Sequence, residues 1–169
     1  MKKAEDLFVA ANRWILIAIL SGMAVLVFLN VSLRYLTNNS ITWSDEVARH
    51  LMIWLTFIGA GLTLRHGGLV AIDNVQIAVS PRSARLMRIA VAIVMFAFFA
   101  TMIWAGKTYV ERTMFQTTPS TRIPFGYIYL AMPIGFALLV IHFLLVLKAY
   151  LHGGMSALQG EDEAPPVAT

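Results

Sequence analysis

The sequence predicts an all-α membrane protein with four transmembrane helices, because it is strongly apolar, sparsely charged and divided into four hydrophobic runs. Of its 169 residues, 59% are hydrophobic and 13% are charged, whereas a soluble domain usually carries about 25% charged residues. A small water-soluble domain cannot bury so large an apolar fraction. We therefore expect one membrane domain over residues 1–152. The four spans are expected at about 14–35, 43–64, 86–106 and 124–147.

The composition also excludes several classes of function. The chain has no cysteine, so disulfides, iron–sulfur clusters and thiolate zinc sites are not expected. Its 13 Lys and Arg residues are spread singly between apolar runs, whereas a nucleic-acid-binding surface would cluster them. We expect no catalytic residue, no metal, no cofactor and no nucleic-acid partner, and we expect membrane lipids around the spans.

Helix length sets the first two spans. A helix rises about 1.5 Å per residue and must cross about 30 Å of hydrocarbon, so a span needs roughly 20 residues. The uncharged stretch 14–33 is long enough, and no small-residue cleavage site follows it, which predicts a retained anchor rather than a signal peptide. Only 15 residues separate Arg49 from Arg65. The second helix must therefore begin earlier, near Thr42 or Trp43, which places Asp45, Glu46 and Arg49 in its first two turns.

Aromatic residues and a proline characterise the other spans. Aromatic anchors at the membrane interfaces are expected at Trp14, Trp104, Tyr127 and Tyr129, because Trp and Tyr favour the headgroup level. Pro133 should kink the fourth span, since proline lacks the amide donor and clashes with the preceding turn.

The connection between spans two and three and the C-terminal tail have different characters. Apolar residues in 67–80 recur at roughly helical spacing, which predicts a short helix lying in the membrane interface. Val75, Ile77 and Val79 also alternate as in a strand, which leaves a loop as the alternative. The tail 153–169 is polar, acidic and proline-containing, and it is expected to be disordered.

The distribution of positive charge predicts the topology. Four crossings put both termini on one side of the membrane, and that side receives eight of the 13 Lys and Arg residues while the other receives five. Cytoplasmic loops are enriched in positive charge. Both termini are therefore expected in the cytoplasm, with the start of the second span outside.

No Asp, Glu, Lys or Arg falls in the central part of any span, although ionisable groups at that depth usually mark transport or redox sites. The deepest polar side chains are Asn30, Ser32, Thr56, Thr101 and His142. For Ser and Thr we expect hydrogen bonds to their own helix or a neighbouring one. For His142 we expect a helix–helix hydrogen bond rather than a ligand role, because His50 lies near the opposite surface and cannot complete a haem site with it. His66 is expected in the headgroup layer.

A charged cluster lies at the start of the second span. Asp45 and Glu46 complement the helix dipole, Thr42 forms a near capping box with Asp45, and Arg49 follows Asp45 in the favourable acid-first order. The short connection can bring Arg34 toward the acids. This cluster is either a capped helix end with solvated charges or a surface that docks an outside partner. Its candidate residues are Arg34, Trp43, Asp45, Glu46 and Arg49.

Small residues recur at spacings that allow close helix packing, as in Ala18-x-x-x-Gly22 and Ala131-x-x-x-Gly135. Packing within the chain would account for them. The helix-packing candidates are Asn30, Gly59, Gly61, Pro133 and Gly135.

The order of these motifs is similar to that of a known family. The first part reads Asn30-x-x-x-Arg34-Tyr35, then Trp43-Ser44-Asp45-Glu46-x-x-Arg49-x-x-x-x-Trp54-x-x-x-x-Gly59-Ala60. Further matches are Arg65, Val70-x-x-Asp73, Pro81-x-x-x-Arg85, Ile123-Pro124, Tyr129 and Pro133-x-Gly135. Over roughly residues 5–150 the chain resembles the DctQ-like small membrane subunit of TRAP (tripartite ATP-independent periplasmic) transporters. It departs at Leu69, where many members have a histidine that is here lost or replaced by His66.

The resemblance implies a non-catalytic small permease subunit in the bacterial inner membrane. Such a subunit would form a heterodimer with a large membrane subunit, which carries the substrate and sodium sites and moves as an elevator. A periplasmic substrate-binding protein would deliver an organic acid. The small subunit would brace the fixed scaffold of the large one and help to dock the binding protein, and the coupling sodium is expected in the large subunit.

Two other classes are weighed against this one. An independent four-helix transporter of the multidrug type needs a carboxylate within the membrane for proton coupling, and the first span has none. A membrane anchor of a quinone-linked oxidoreductase would supply haem ligands or a quinone pocket, and the different depths of the histidines argue against it.

Overall fold

The structure is a computed structural model that describes residues 2–65 and 80–153. The helices in this part of the chain are α1 (Lys2–Thr37), α2 (Ser44–Arg65), α3 (Pro81–Thr113), α4 (Phe125–Tyr129) and α5 (Ala131–Gly153). Four helical segments are long and apolar enough to cross a membrane, and α4 with α5 counts as one of them. The predicted all-α fold with four spans is confirmed.

The helices extend beyond the predicted spans at several ends. α1 begins at Lys2 rather than near residue 14, and α3 covers Pro81–Thr113 rather than 86–106. A helix satisfies its own backbone hydrogen bonds, so it can continue past the hydrocarbon layer into the polar flanks. At the start of α3, the Ser80 hydroxyl accepts a hydrogen bond from the Ser83 amide at 3.4 Å, and proline occupies the first turn.

Packing follows the order α1, α2, α5, α3. α2 packs against both α1 and α5, and α3 packs against α5. The core lies between α2, α3 and α5, and it consists of Leu64, Ala92, Phe99, Leu139, Phe143, Val146 and Tyr150. α1 therefore lies at one edge of the bundle and leaves most of its apolar surface exposed.

Close helix contact depends on a few glycines. A Cβ atom at Gly135 would lie 2.6 Å from the Phe57 Cβ and 2.7 Å from the Phe57 carbonyl oxygen, so α5 and α2 touch backbone to backbone at this point. At Gly61 it would lie 2.6 Å from the His142 ring. Gly22 has open space around it, so the Ala18-x-x-x-Gly22 stripe is not used for packing within the described part of the chain.

The fourth span is interrupted near the predicted proline. α4 ends at Tyr129 and α5 begins at Ala131. Pro133 has no amide hydrogen to donate to the carbonyl four residues earlier, which is that of Tyr129, so the helix is weakest there. The Leu130 amide still donates to Gly126 at 3.0 Å, which keeps the two pieces connected.

Some predictions fall on other parts of the chain. The interfacial helix proposed for 67–80, apart from Ser80, lies outside the described residues. His66 and the tail beyond Gly153 lie outside them as well.

Candidate functional site

The connection between α1 and α2 is tied together by polar side chains. The Asn30 carboxamide oxygen accepts a hydrogen bond from the Ile41 amide at 2.7 Å. The Ser44 hydroxyl donates to the Ile41 carbonyl at 2.8 Å, and α2 begins at Ser44. Within residues 2–65 no hydrogen bond joins Thr42 to Asp45, so the predicted capping box is not formed. Asn30 thus holds the connection, in addition to any role in helix packing.

Glu46 fastens the loop between α3 and α4 to the start of α2. Its carboxylate accepts hydrogen bonds from the backbone amides of Ser120 at 2.9 Å and Thr121 at 3.1 Å, and from the Thr121 hydroxyl. The Thr118 hydroxyl bonds that of Thr121 at 2.8 Å and accepts from the Ile123 amide at 3.0 Å. Two segments far apart in sequence are therefore joined at one end of the bundle.

The other charges of the predicted cluster remain unpaired. Within the described ranges, Asp45, Arg49 and Arg34 form no ion pair with one another or with Glu46; the ion pairs found there are Glu5–Arg65 and Lys107–Glu111. The Asp45–Arg49 ion pair that the acid-first spacing favours is therefore not formed in this part of the chain. Glu46 takes its hydrogen bonds from the distant loop instead.

A cleft opens beside Glu46. It has a volume of about 410 Å³ and is lined by Thr42, Asp45, Glu46, Arg49, His50, Ile53, Thr118, Pro119, Ser120, Phe125, Ile128 and Tyr129. Asp45 and Arg49, which form no ion pair within residues 2–65 and 80–153, both border this cleft. Trp43 is 44% exposed close by. The cleft therefore presents groups of both charge signs at one end of the bundle.

The predicted aromatic anchors differ in their surroundings. Trp14, Trp104 and Tyr127 are exposed on the outside of the bundle, as a membrane interface requires. Tyr129 is half-buried, and its ring lies 4.8 Å from that of Tyr109 in an edge-to-face contact. Tyr129 therefore packs between helices.

A buried polar pair lies toward the opposite end of the bundle. His142 is fully buried, and its Nε2 lies 3.0 Å from the Asn12 side-chain nitrogen. Asn12 also approaches the Ile58 carbonyl at 3.5 Å, and the Phe8 ring lies 4.9 Å from the imidazole. The expected helix–helix hydrogen bond of His142 is confirmed. The hydroxyls of Thr56 and Thr101 donate to their own helices at 2.8 Å, also as expected.

Sequence reasoning missed the partners in both polar sites. Asn12 precedes the apolar run 14–33, and no local pattern marks it as a partner of His142. Glu46 and Thr121 are 75 positions apart, and nothing local signals their contact. The Thr118-x-x-Thr121 spacing offered a weak indication of a polar turn.

The described residues hold no group of three or more His, Asp or Glu side chains that could bind a metal ion. Fold and site together define a small multi-pass membrane protein whose charged side chains lie near the helix ends, with a polar cleft at one end of the bundle. Comparison with known proteins places it more narrowly. The sequence profile of tripartite ATP-independent periplasmic transporters, DctQ component, matches residues 23–151. The chain belongs to this DctQ family, a non-catalytic transport component of the bacterial inner membrane.

Individual relatives agree with this family. A protein of Haemophilus influenzae named as a TRAP transporter small permease is 30% identical over 115 residues, 68% of this chain and 71% of that protein. The C4-dicarboxylate TRAP transporter small permease protein DctQ of Vibrio cholerae is 26% identical over 175 aligned positions, 88% of this chain and 75% of the relative. The isethionate TRAP transporter permease protein DctMQ of Oleidesulfovibrio alaskensis is 23% identical over 60% of this chain and 16% of its own length.

Proposed function

We propose that this chain braces the fixed scaffold of a large elevator-type membrane subunit in a sodium-coupled TRAP transporter for an organic acid. The two subunits form a heterodimer. Both termini lie in the cytoplasm, so the Glu46 end of the bundle faces the periplasm and helps to dock the substrate-binding protein. The coupling sodium and the solute bind in the large subunit.

The observation that carries this proposal is the contrast between the two ends and the middle of the bundle. Charged side chains lie near the helix ends, and the centres of the spans contain no Asp, Glu, Lys or Arg. An ion pathway through a membrane requires such groups or backbone that lines a cavity. The groups that bind and translocate the ion and the solute therefore belong to another subunit, and this chain supplies packing surface.

Two features support a permanent membrane partner. α1 leaves large apolar side chains exposed along its length, among them Val25, Phe28 and Val31. Small permease subunits of this family work with large membrane subunits, and the relative named DctMQ is far longer than the matched segment. An exposed apolar face is suited to a helix of the large subunit as well as to lipid.

Support for the docking role comes from how charge is used at the Glu46 end. Glu46 is occupied by the 118–121 segment, whereas Asp45 and Arg49 line the cleft without an ion pair in the described chain. Free charges of opposite sign at a rim steer and orient an incoming partner. The substrates named for the relatives, isethionate and a C4-dicarboxylate, are organic acids, which supports that class of solute here.

Co-purification and reconstitution test this function. The tagged chain should retain a large permease subunit through detergent extraction. Liposomes should take up the organic acid only when both membrane subunits, the binding protein and an inward sodium gradient are present. Uptake by the chain alone, or uptake by the large subunit at full rate without this chain, would overturn the proposal.

A further inference from the structure

A narrow apolar groove runs along the flank of the bundle between α1 and α2. Its volume is about 470 Å³, and its lining residues are Arg13, Leu16, Ile17, Leu20, Leu55, Gly59, Leu62 and Thr63. On both helices these positions recur three or four residues apart, so each helix contributes one face. The Thr63 hydroxyl donates to the Gly59 carbonyl at 3.1 Å. Arg13 is the charged member of this lining, and the Thr63 hydroxyl, its other polar side chain, is bonded within its own helix.

Arg13 also borders a second, polar cavity. This cavity measures about 170 Å³ and is lined by Asp6, Val9, Ala10, Arg13 and Arg65. Arg65 is neutralised by Glu5, with 2.6 Å between Nη2 and the carboxylate oxygen. Within residues 2–65 and 80–153, neither Arg13 nor Asp6 forms a hydrogen bond or an ion pair through its side chain. Along α1 the order is thus an apolar groove, a free cation and then a free carboxylate.

We propose that this site binds one glycerophospholipid with an amine headgroup, such as phosphatidylethanolamine. An acyl chain fills the groove, the phosphate lies on the Arg13 guanidinium, and the headgroup ammonium lies toward Asp6. Helical side chains lean toward the N-terminus, so Arg13 extends toward Asp6 and both charges can reach one headgroup. Guanidinium and phosphate oxygens form strong, often bidentate hydrogen bonds.

The charges favour a lipid over a transmembrane helix of a partner protein. A transmembrane helix packed into the groove would cover the apolar lining, but it would satisfy Arg13 and Asp6 only if it also carried an acid and a base at matching positions. A phospholipid supplies apolar chain, anion and cation in the same order as the groove, Arg13 and Asp6.

Native mass spectrometry of the full chain tests the phosphate contact. Delipidated protein in detergent is titrated with 1-palmitoyl-2-oleoyl-phosphatidylethanolamine. Arg13→Gln should weaken one-to-one binding about fivefold, the loss expected for one basic residue at a lipid headgroup. Arg82→Gln is the matched control, because Arg82 is an exposed arginine at the same end of the bundle and lines neither cavity. Equal affinities for the two variants would overturn the proposal.

Two more variants test the groove and the headgroup. Ile17→Trp should fill the groove and reduce binding, while Val25→Trp, at an exposed position of α1 outside the groove, should not. Asp6→Asn should weaken binding of phosphatidylethanolamine and leave phosphatidylglycerol unaffected. Identical affinities for both lipids that do not respond to Asp6→Asn would overturn the amine assignment. A disulfide formed from Ile17→Cys to a helix of the large subunit in the assembled complex would overturn lipid occupancy.

Discussion

Glu46 has a structural task at the charged end of the bundle. Its carboxylate holds two backbone amides and a hydroxyl of the 118–121 segment, and hydrogen bonds to an ionised acceptor are stronger than neutral ones. The neighbouring Asp45 carboxylate has no such contacts in the described chain. Adjacent acids in the same helical turn therefore serve different purposes.

Replacement of Glu46 by Gln should loosen the loop between α3 and α4. The amide side chain cannot accept all three hydrogen bonds and carries no charge. Hydrogen exchange of the Ser120 and Thr121 amides should become faster, while Asp45→Asn should leave it unchanged. Equal protection in both variants would show that the loop is held by its own Thr118 contacts.

The buried pair Asn12–His142 should contribute to the docking of α1 on the bundle. A double-mutant cycle with Asn12→Ala and His142→Ala should give a coupling free energy of about 0.5–2 kcal/mol, because the two side chains bond across helices at 3.0 Å. Unfolding in mixed detergent micelles measures it. Asn12→Ala combined with Thr101→Ala is the additive control, since the Thr101 hydroxyl bonds its own helix.

At the scale of elements, α2 is the helix that connects the bundle. It packs on α1 through the Gly59–Leu16 contact and on α5 through Gly61 and Gly135. The contacts differ in tightness, because a Cβ at Gly59 would lie 3.7 Å from Leu16 whereas one at Gly135 would lie 2.6 Å from Phe57. The α2–α5 contact therefore tolerates an added side-chain atom less well than the α1–α2 contact does.

Glycine-to-alanine substitutions should rank these contacts. Gly135→Ala must push the Phe57 backbone away and should lower the free energy of unfolding by about 1–3 kcal/mol. Gly22→Ala has open space and should be neutral or stabilising by up to about 1 kcal/mol, since Ala favours helices. Gly59→Ala should lie between the two. Thermal unfolding in detergent measures the series, and a Gly135→Ala protein as stable as Gly22→Ala would contradict the packing.

At the scale of the whole molecule, the main feature is that the bundle exposes two different kinds of surface. Apolar side chains of α1 are exposed at one edge, and a cleft at one end is bordered by Asp45 and Arg49, which form no ion pair among the described residues. In the proposed transporter the exposed face of α1 lies against the large subunit or lipid. The cleft faces the binding protein. Assembly and docking should therefore respond to different substitutions.

Charge reversal at the cleft should weaken docking without dissociating the membrane subunits. Asp45→Lys with Arg49→Glu should lower the association rate of the purified binding protein with the reconstituted transporter by roughly tenfold at low salt, and less at high salt. Arg112→Glu is the control, because Arg112 is an exposed arginine at the same end that does not line the cleft. If both variants bind at the wild-type rate, Asp45 and Arg49 only border a helix end.

Much of the fold could be predicted because it depends on local properties. The four spans follow from the length of the apolar runs, the break before Pro133 from the missing amide donor, and the hydrogen bonds of Thr56 and Thr101 from their position in a helix. Helix ends were less predictable. Polar flanks such as 2–13 continue a helix at little energetic cost, so composition does not show where α1 begins.

The sequence by itself determined that this chain lives in a membrane, crosses it four times and carries its charges at the ends, since hydrocarbon excludes ionised groups and requires a helix of a given length. Only the tertiary structure decided which polar groups meet. Glu46 binds a loop 75 residues away rather than pairing with its neighbours, and His142 binds Asn12 across 130 positions. Such contacts depend on how the helices are arranged in space, and apolar side chains packed in lipid encode that arrangement collectively rather than in a local pattern.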